Sequence, residues 1–196
     1  NQELTDNLAS AAQLATISIT RALDRKTLQE SEQRFRSLFT FNSDAIYSFD
    51  LDGNFKLAND ATLELTGLTY QEINDQHFSN VIVPEDLERT KQHFALAREG
   101  IPQRYEIHIV DSRGNLLHLD VANLPIVVDE QITGVFGIAK NITESKAFEK
   151  QLRLFKRSVE SSFNGIVIVD ALAEDMPVTY VNAGFERITG YSSDEM

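Results

Sequence analysis

The feature that most constrains this chain is that part of it occurs twice. Phe35 to Asp50 (FRSLFTFNSDAIYSFD) lies over Phe155 to Asp170 (FKRSVESSFNGIVIVD) without a gap, matching at the opening Phe, at Ile46 with Ile166, and at the closing Asp. Three added residues in the next loop then align Asn59 with Asn182, Thr66-Gly67 with Thr189-Gly190 and Glu72 with Glu195. Such self-similarity predicts one supersecondary design used twice. The second copy stops at Met196, where the first has most of its length still to run, so one whole unit and the opening of another are expected. With Asn at its first position and no signal-peptide pattern, the sequence reads as a piece of something longer.

A helical segment precedes each copy. Leu4, Leu8, Ala12, Ala15, Ile19 and Ala22 recur every three or four residues, the period of one apolar helical face. Such a face must be covered, either by the helix's own domain or by a second copy in a parallel coiled coil. Between the copies Phe148, Leu152, Phe155 and Val159 repeat the spacing within the charged stretch Glu144 to Glu160. Two amphipathic connectors flanking one unit suggest a signalling shaft and a homodimer formed through the helical segments. The expected division is a helix over 1–31, a complete domain over 32–143, a helical linker over 144–157 and the start of a second domain over 158–196.

The whole unit has the pattern of a small antiparallel sheet. Strand candidates Ala45 to Asp50 and Asn54 to Ala58 flank Leu51-Asp52-Gly53, a hairpin turn. Asp60 to Thr66 follows as a short helix, capped by Asn59 or Asp60 and stopped by Gly67. Pro84-Glu85-Asp86 opens a longer helix ending at Gly100, with Leu87, Phe94 and Leu96 expected on its buried side. Tyr105, Ile107 and Ile109 alternate with polar residues, as do Leu117, Leu119 and Val121. If both rows share a face, 107 pairs with 119 and 109 with 117, around the loop Ser112-Arg113-Gly114. That register also sets His108 opposite His118, and Glu106 opposite Asp120, a like-charge pair that calls for a cation or an arginine nearby. A last strand, Ile132 to Ile142, follows the Asp129-Glu130 turn.

Composition narrows the partners. Eighteen basic against thirty acidic residues give a net charge of −12, which disfavours attraction to nucleic acid or anionic membrane. No stretch approaches the roughly 20 apolar residues of a membrane span. The absence of cysteine excludes disulfides, thiolate nucleophiles and Cys-ligated zinc, and fits a cytoplasmic location. No catalytic or metal-binding residues are assigned. The pairs Asp50/Asp52, Glu85/Asp86 and Glu174/Asp175 fall on turns and helix starts, where acids are structurally favoured.

The DxxG of the first hairpin, Asn59 at the end of its second strand, Thr66-Gly67 closing the next helix and Asn141-Ile142-Thr143-Glu144 leaving the last strand together resemble a PAS domain. The exit residues correspond to the family's Asp-Ile-Thr signature, with Asn141 in place of Asp. The resemblance implies an α+β fold, a five-stranded antiparallel sheet with short flanking helices, between amphipathic signalling helices. It further implies a sensory and dimerisation module of a bacterial signalling protein, relaying a ligand or conformational signal through Asn141, Ile142, Thr143 and Glu144. Outputs typical of such chains are histidine kinases, diguanylate cyclases and cyclic-di-GMP phosphodiesterases, whose catalytic signatures do not occur in this sequence. The run Leu8 to Ala15 is similar to the last helix of a GAF domain.

Any ligand pocket should lie between the sheet's apolar face and the long helix, lined by Tyr47, Phe49, Phe94, Tyr105, Ile107, Leu119 and Asn123; the alternative is a filled core. The segment Asp170 to Tyr191 looks like the start of a LOV domain, a flavin-binding light sensor whose photoactive cysteine would stand a few residues past Met196. In the complete unit Phe78 aligns with that cysteine and Leu119 with a flavin-binding Asn, so neither flavin nor any other cofactor is expected there. Haem would need an axial imidazole from the long helix; His93 lies farther along it than the family's ligand position near Thr90 and reads as a helix-surface residue. His77 has no identifiable partner, and the His108/His118 pair is too small a ligand set for a structural metal, although it could form a pH-sensitive contact. The strand candidates Gly165 to Asp170 and Val178 to Asn182 lack the rest of a sheet, which predicts disorder or pairing with another chain.

Overall fold

The computed structural model describes residues 2–192 and 195, and for residues 2–18 the backbone alone. The chain forms two compact units that meet at Asn141/Ile142.

In the first unit, helix α1 (Gln2–Thr40) runs unbroken past residue 31 into the domain. The Leu4 to Ala15 part of the apolar row, and with it the GAF-like run, lies outside the described side chains. Among those described, Ile19, Leu23 and Leu28 are exposed, and α1 meets its own domain only near its end, where Phe35 packs on Phe39 and edge-on against Phe136. Strands β1 (Ala45–Phe49) and β2 (Phe55–Ala58) form the first hairpin. Helices α2 (Asp60–Thr66) and α3 (Tyr70–Asn74), a single 3-10 turn and α4 (Pro84–Arg98) cross over before β3 (Gln103–Val110), β4 (Leu116–Val128) and β5 (Gln131–Asn141). The sheet is antiparallel throughout its pairings, in the order β2-β1-β5-β4-β3.

Local chemistry accounts for most of these boundaries. Asn59 caps α2 through Thr62 N, and Gly67 closes it in the left-handed region at φ 69°. Thr69 and Glu72 form a reciprocal capping box on α3, a T-x-x-E signal legible in the sequence although α3 was not expected from it. The β3–β4 register is the expected one, with Ile107 opposite Leu119 and Ile109 opposite Leu117. The buried row of α4 is Thr90, Phe94 and Ala97, spaced i, i+4, i+7, while Leu96 is 37% exposed, contrary to expectation.

The two three-residue hairpin loops share one design, Asp50-Leu-Asp-Gly-Asn54 and Asp111-Ser-Arg-Gly-Asn115. In each, the Asp carboxylate accepts from the backbone N–H groups two and four residues on and from the Asn side chain, and the Gly takes positive φ. The Asn115 side chain foremost, with the Asn115 backbone and Arg113 bonds and against the opposing push of burial, holds the Asp111 carboxyl at about 2. Asp50 is lowered too, the bonds from Asn54 and Lys56 outweighing the opposing push of burial.

The β4–β5 turn is built differently. Asp129 and Glu130 both sit at positive φ, 47° and 65°, in a two-residue loop closed by Val128 opposite Gln131. That conformation suits Asn-Gly or Asp-Gly and strains a Glu.

In the second unit, α5 (Thr143–Glu160) leads to β6 (Val167–Val169), β7 (Val178–Val181) and α6 (Ala183–Thr189). The expectation of disorder or intermolecular pairing is corrected here. The two strands pair with each other, Val167 with Val181 and Ile168 with Tyr180, so their facing backbone groups are satisfied within the hairpin while the β6 side chains stay exposed. An open apolar groove remains between Leu152, Phe155 and Val159 of α5 and Ile166, Ile168 and Tyr180.

Two outcomes follow. Glu130→Gly should stabilise the first unit by about 1 kcal/mol by relieving a left-handed Glu, read as a higher Tm in thermal unfolding. Because the folded-state carboxyl of Asp111 is depressed, its contribution is complete above its ordinary value of 3.8 and is lost as pH falls toward about 2. Thermal unfolding scanned over that window should show stability falling with pH, and falling less steeply in Asp111→Asn.

Candidate functional site

The inner face of the first unit's sheet is covered by α2, α3 and α4, and the sequence-selected pocket residues do converge there. Tyr47, Phe49, Phe94, Tyr105, Ile107 and Asn123 line one void, and Tyr47, Phe49, Ile107 and Leu119 help line a second. The voids measure only about 20 and 40 Å³, on the scale of single waters. Five aromatic rings take up the space. Phe49 lies 5.0 Å from Tyr47, 4.6 Å from Phe55, 5.7 Å from Phe78 and 5.8 Å from Phe94, centroid to centroid. Tyr47 itself occupies the place where any Cβ at Gly137 would stand, which is why β5 carries a glycine opposite it.

The polar atoms in this core are few. Asn123, 2% exposed, donates through Nδ2 to the Tyr105 hydroxyl at 2.9 Å, and its Oδ1 has no hydrogen-bond partner. Burial pushes the Tyr105 phenol up to about 12, against the opposing pull of the Asn123 bond and Arg89. Burial also raises the Tyr47 phenol, with a smaller push from Tyr105. Both hydroxyls are therefore neutral at physiological pH.

The histidines are engaged structurally. His93 stacks on Tyr105 at 4.1 Å between centroids and bonds Gln103 Oε1 through Nδ1 at 2.8 Å. His77, expected to lack a partner, has three: its Nε2 donates to the Asp52 carbonyl at 2.9 Å, its Nδ1 meets the Ser79 hydroxyl and backbone N–H, and its ring stacks on Phe78. His108 and His118 face each other at 4.3 Å between centroids, each with its own carboxylate. His108 gives both its backbone N–H and Nδ1 to Asp86 Oδ2, and His118 Nε2 lies 2.8 Å from Glu106. For the Asp86 carboxyl, burial pushes upward but the His108 bonds and the Arg89 charge prevail and lower it. The like-charge neighbours Glu106 and Asp120 are separated by assignment, Asp120 taking the Arg104 guanidinium and Glu106 the His118 ring. Among the described residues no group of three or more His, Asp or Glu is placed to hold a metal ion.

With this fold and core in place, the family comparisons are decisive. A PAS fold model matches residues 33–142. The chain belongs to the PAS family. A second PAS domain model matches residues 153–196, the second of the two copies. The chain is 24% identical over 195 residues to the methyl sulfide methyltransferase-associated sensor of Methanosarcina acetivorans, aligning 99% of this chain with 18% of that protein. It is 26% identical over 171 residues to the methanogenesis regulatory histidine kinase FilI of Methanothrix harundinacea, aligning 81% with 19%. It is also 24% identical over 136 residues to the signaling protein YkoW of Bacillus subtilis, 66% against 16%. The chain thus spans less than a fifth of these relatives. Among solved structures, a PAS domain from Colwellia psychrerythraea is 27% identical at a TM-score of 0.53, covering 58% of this chain and 97% of that one. An RNA-binding light-oxygen-voltage receptor shares the fold at 18% identity and a TM-score of 0.55, covering 64% and 37%.

The last strand of the first unit runs directly into a helix. β5 ends at Asn141, Ile142 is the helix cap without a side-chain bond, and α5 starts at Thr143 with Glu144 in its first turn, where the dipole favours an acid. Lys146 N bonds the Ile142 carbonyl at 2.9 Å, so the helical ladder starts one residue after the strand. Sequence reasoning missed the Asp86–His108 link, because nothing in either segment signals a contact 22 residues apart.

The Asn123–Tyr105 pair supplies a test of whether the PAS core holds a polar occupant. Removing both partners together in Asn123→Leu/Tyr105→Phe should leave stability within about 1 kcal/mol of the parent, or above it, if the void is dry. A loss of about 3 kcal/mol or more in denaturant unfolding would mean that the pair engages something else.

Proposed function

We propose that this chain is a sensory and dimerisation module of a cytoplasmic signal-transduction protein, passing conformational change through the exit at Asn141, Ile142, Thr143 and Glu144 into α5. The observation that carries this reading is the apolar stripe of α5. Phe148, Leu152 and Phe155 are 69%, 57% and 66% exposed and follow a four-three spacing, the geometry of a seam for a second parallel helix. Removing three such side chains from water into a helix–helix seam is favourable by roughly 1.5–3 kcal/mol each. The occupant is a second copy of the same helix, which makes this chain a homodimer through its helical segments. A downstream histidine kinase or an enzyme of cyclic-di-GMP turnover is the matching output.

A second reading, a small-molecule sensor, is favoured by the unpaired Asn123 Oδ1, which would accept from a ligand bearing an N–H or O–H. The filled aromatic core weighs against it. Flavin fits the complete domain poorly, since Phe78 and Leu119 present only hydrocarbon in the two places where a light sensor needs Cys and Asn. Haem fits poorly too, since His93 is committed to Gln103 and Tyr105.

Because the chain has no cysteine, single substitutions report contacts directly. Leu152→Cys should form a disulfide-linked dimer under mild oxidation, and Lys150→Cys on the opposite face should not. Light scattering should give twice the 22.1 kDa chain mass at high micromolar concentration, reverting to monomer in Leu152→Glu. A monomer at every concentration, with no cross-link at 152, would rule the dimer out.

A further inference from the structure

In both units one buried asparagine ties the end of the incoming helix to the first hairpin. Asn59 Nδ2 donates to the carbonyl of Phe39, in the last turn of α1, at 3.0 Å and to that of Asp44 at 3.1 Å. Its Oδ1 accepts from Ile46 N at 2.9 Å, on β1, and from Thr62 N at 3.0 Å, on α2. Asn182 makes the same four bonds at the equivalent positions. Its Nδ2 donates to Val159 O at 2.8 Å and Asn164 O at 3.1 Å, and its Oδ1 accepts from Ile166 N at 2.8 Å and Phe185 N at 2.9 Å. Each asparagine is all but fully buried, at 2% and 0% exposed.

The helix carbonyl is the telling partner. Phe39 and Val159 are each the penultimate residue of their helix, α1 and α5, and so carry one of the last four carbonyls, which have no i+4 partner within the helix, although the Val159 carbonyl also accepts from Ser162 N at 3.2 Å. A single rigid amide thus bridges helix end, first strand and next helix cap. Its donor half holds the incoming helix and its acceptor half holds the sheet and cap. Among its described residues the second unit has a two-stranded sheet, yet it keeps the same four bonds without the five strands of the first unit.

We infer that Asn59 and Asn182 are positioning residues that couple the end of each incoming helix to its own hairpin, so that strain at the helix terminus is felt in the strands. The inference deepens the relay reading, and rests on it only for the direction in which the strain would travel.

Asn→Asp divides the two halves of the amide chemically. The carboxylate keeps an acceptor for Ile46 N and Thr62 N but loses the donor to the helix carbonyl. Hydrogen-exchange mass spectrometry on the full chain should therefore show, in Asn59→Asp, at least tenfold faster exchange in the last turn of α1, with α2 and β3–β5 unchanged. Asn182→Asp should do the same for the last turn of α5. The coupling itself is read by a double-mutant cycle. Leu38→Gly, which weakens the helix end at an exposed position, should speed exchange of β1 amides threefold or more in the parent and have no such effect in the Asn59→Asp background. Unchanged exchange at both helix ends would overturn the inference. So would a uniform loss of protection across the unit in both variants, or an equal Leu38→Gly effect in the two backgrounds. These readouts need no dimer, so absence of the α5 cross-link would defeat the relay reading while leaving the coupling to stand or fall by exchange.

Discussion

The first unit depends on β1 being paired on both sides, with β2 that follows it directly and with β5 that comes last. Ala45 through Phe49 lie against Ala139 through Val135, and all five β1 residues are buried. Once the first and last strands are neighbours, the intervening chain has to leave the sheet and return, and the segment carrying α2, α3 and α4 crosses its inner face. Closing a long loop costs only slightly more than closing a short one, so the arrangement is limited by how well that face is filled. It is filled by aromatics drawn from β1, β2, the 3-10 turn and α4, centred on Phe49.

That mode of filling bears on function. A core in which Phe49 touches four other rings has low tolerance for an inserted ligand, since close-packed interiors accept an added group only by moving rotamers or backbone. The same packing suits a mechanical element, because displacement of β1 or β5 would disturb several rings at once. Asn123 is the exception: a buried acceptor without a partner at the polar end of an apolar core. The cost of such an atom, about 1–3 kcal/mol, makes it the most informative position in the core.

Much of this architecture is legible in the sequence because its determinants are local. Alternation fixed the Ile107–Leu119 register together with the Gly114 turn, and Asn59 and Gly67 marked both ends of α2. The less legible parts depend on partners distant in sequence. Leu96 and Ala97 are adjacent on α4, and periodicity alone favours the larger side chain for the interior. The structure buries Ala97 instead, because the phase of the helix is set by Thr90 and Phe94. His77 was undecidable for a similar reason, since its acceptor is a backbone carbonyl in a hairpin 25 residues earlier. Of the pocket, the lining residues were readable from the inward face of the strands. Its near-absence of volume was not, because it follows from how Tyr47 settles over Gly137.

The repeat separates local from non-local structure within one chain. Among its described residues the second unit has no counterpart of β3, β4 or β5, yet it forms its helix, its hairpin, and the Asn182-capped α6 that closes on Gly190 at φ 81°. The hydrogen bonds that tie this helix, hairpin and α6 together join residues no more than 25 apart in sequence, the short-range kind of contact that keeps contact order low. What it lacks is cover: the β6 side chains and the α5 stripe remain exposed, although Val181 on β7 is buried. The helix-to-hairpin junction is thus a module in its own right, to which the sheet of the first unit adds a core. A signal carried along these helices would meet the same junction at the entrance to each domain, before it reached any pocket.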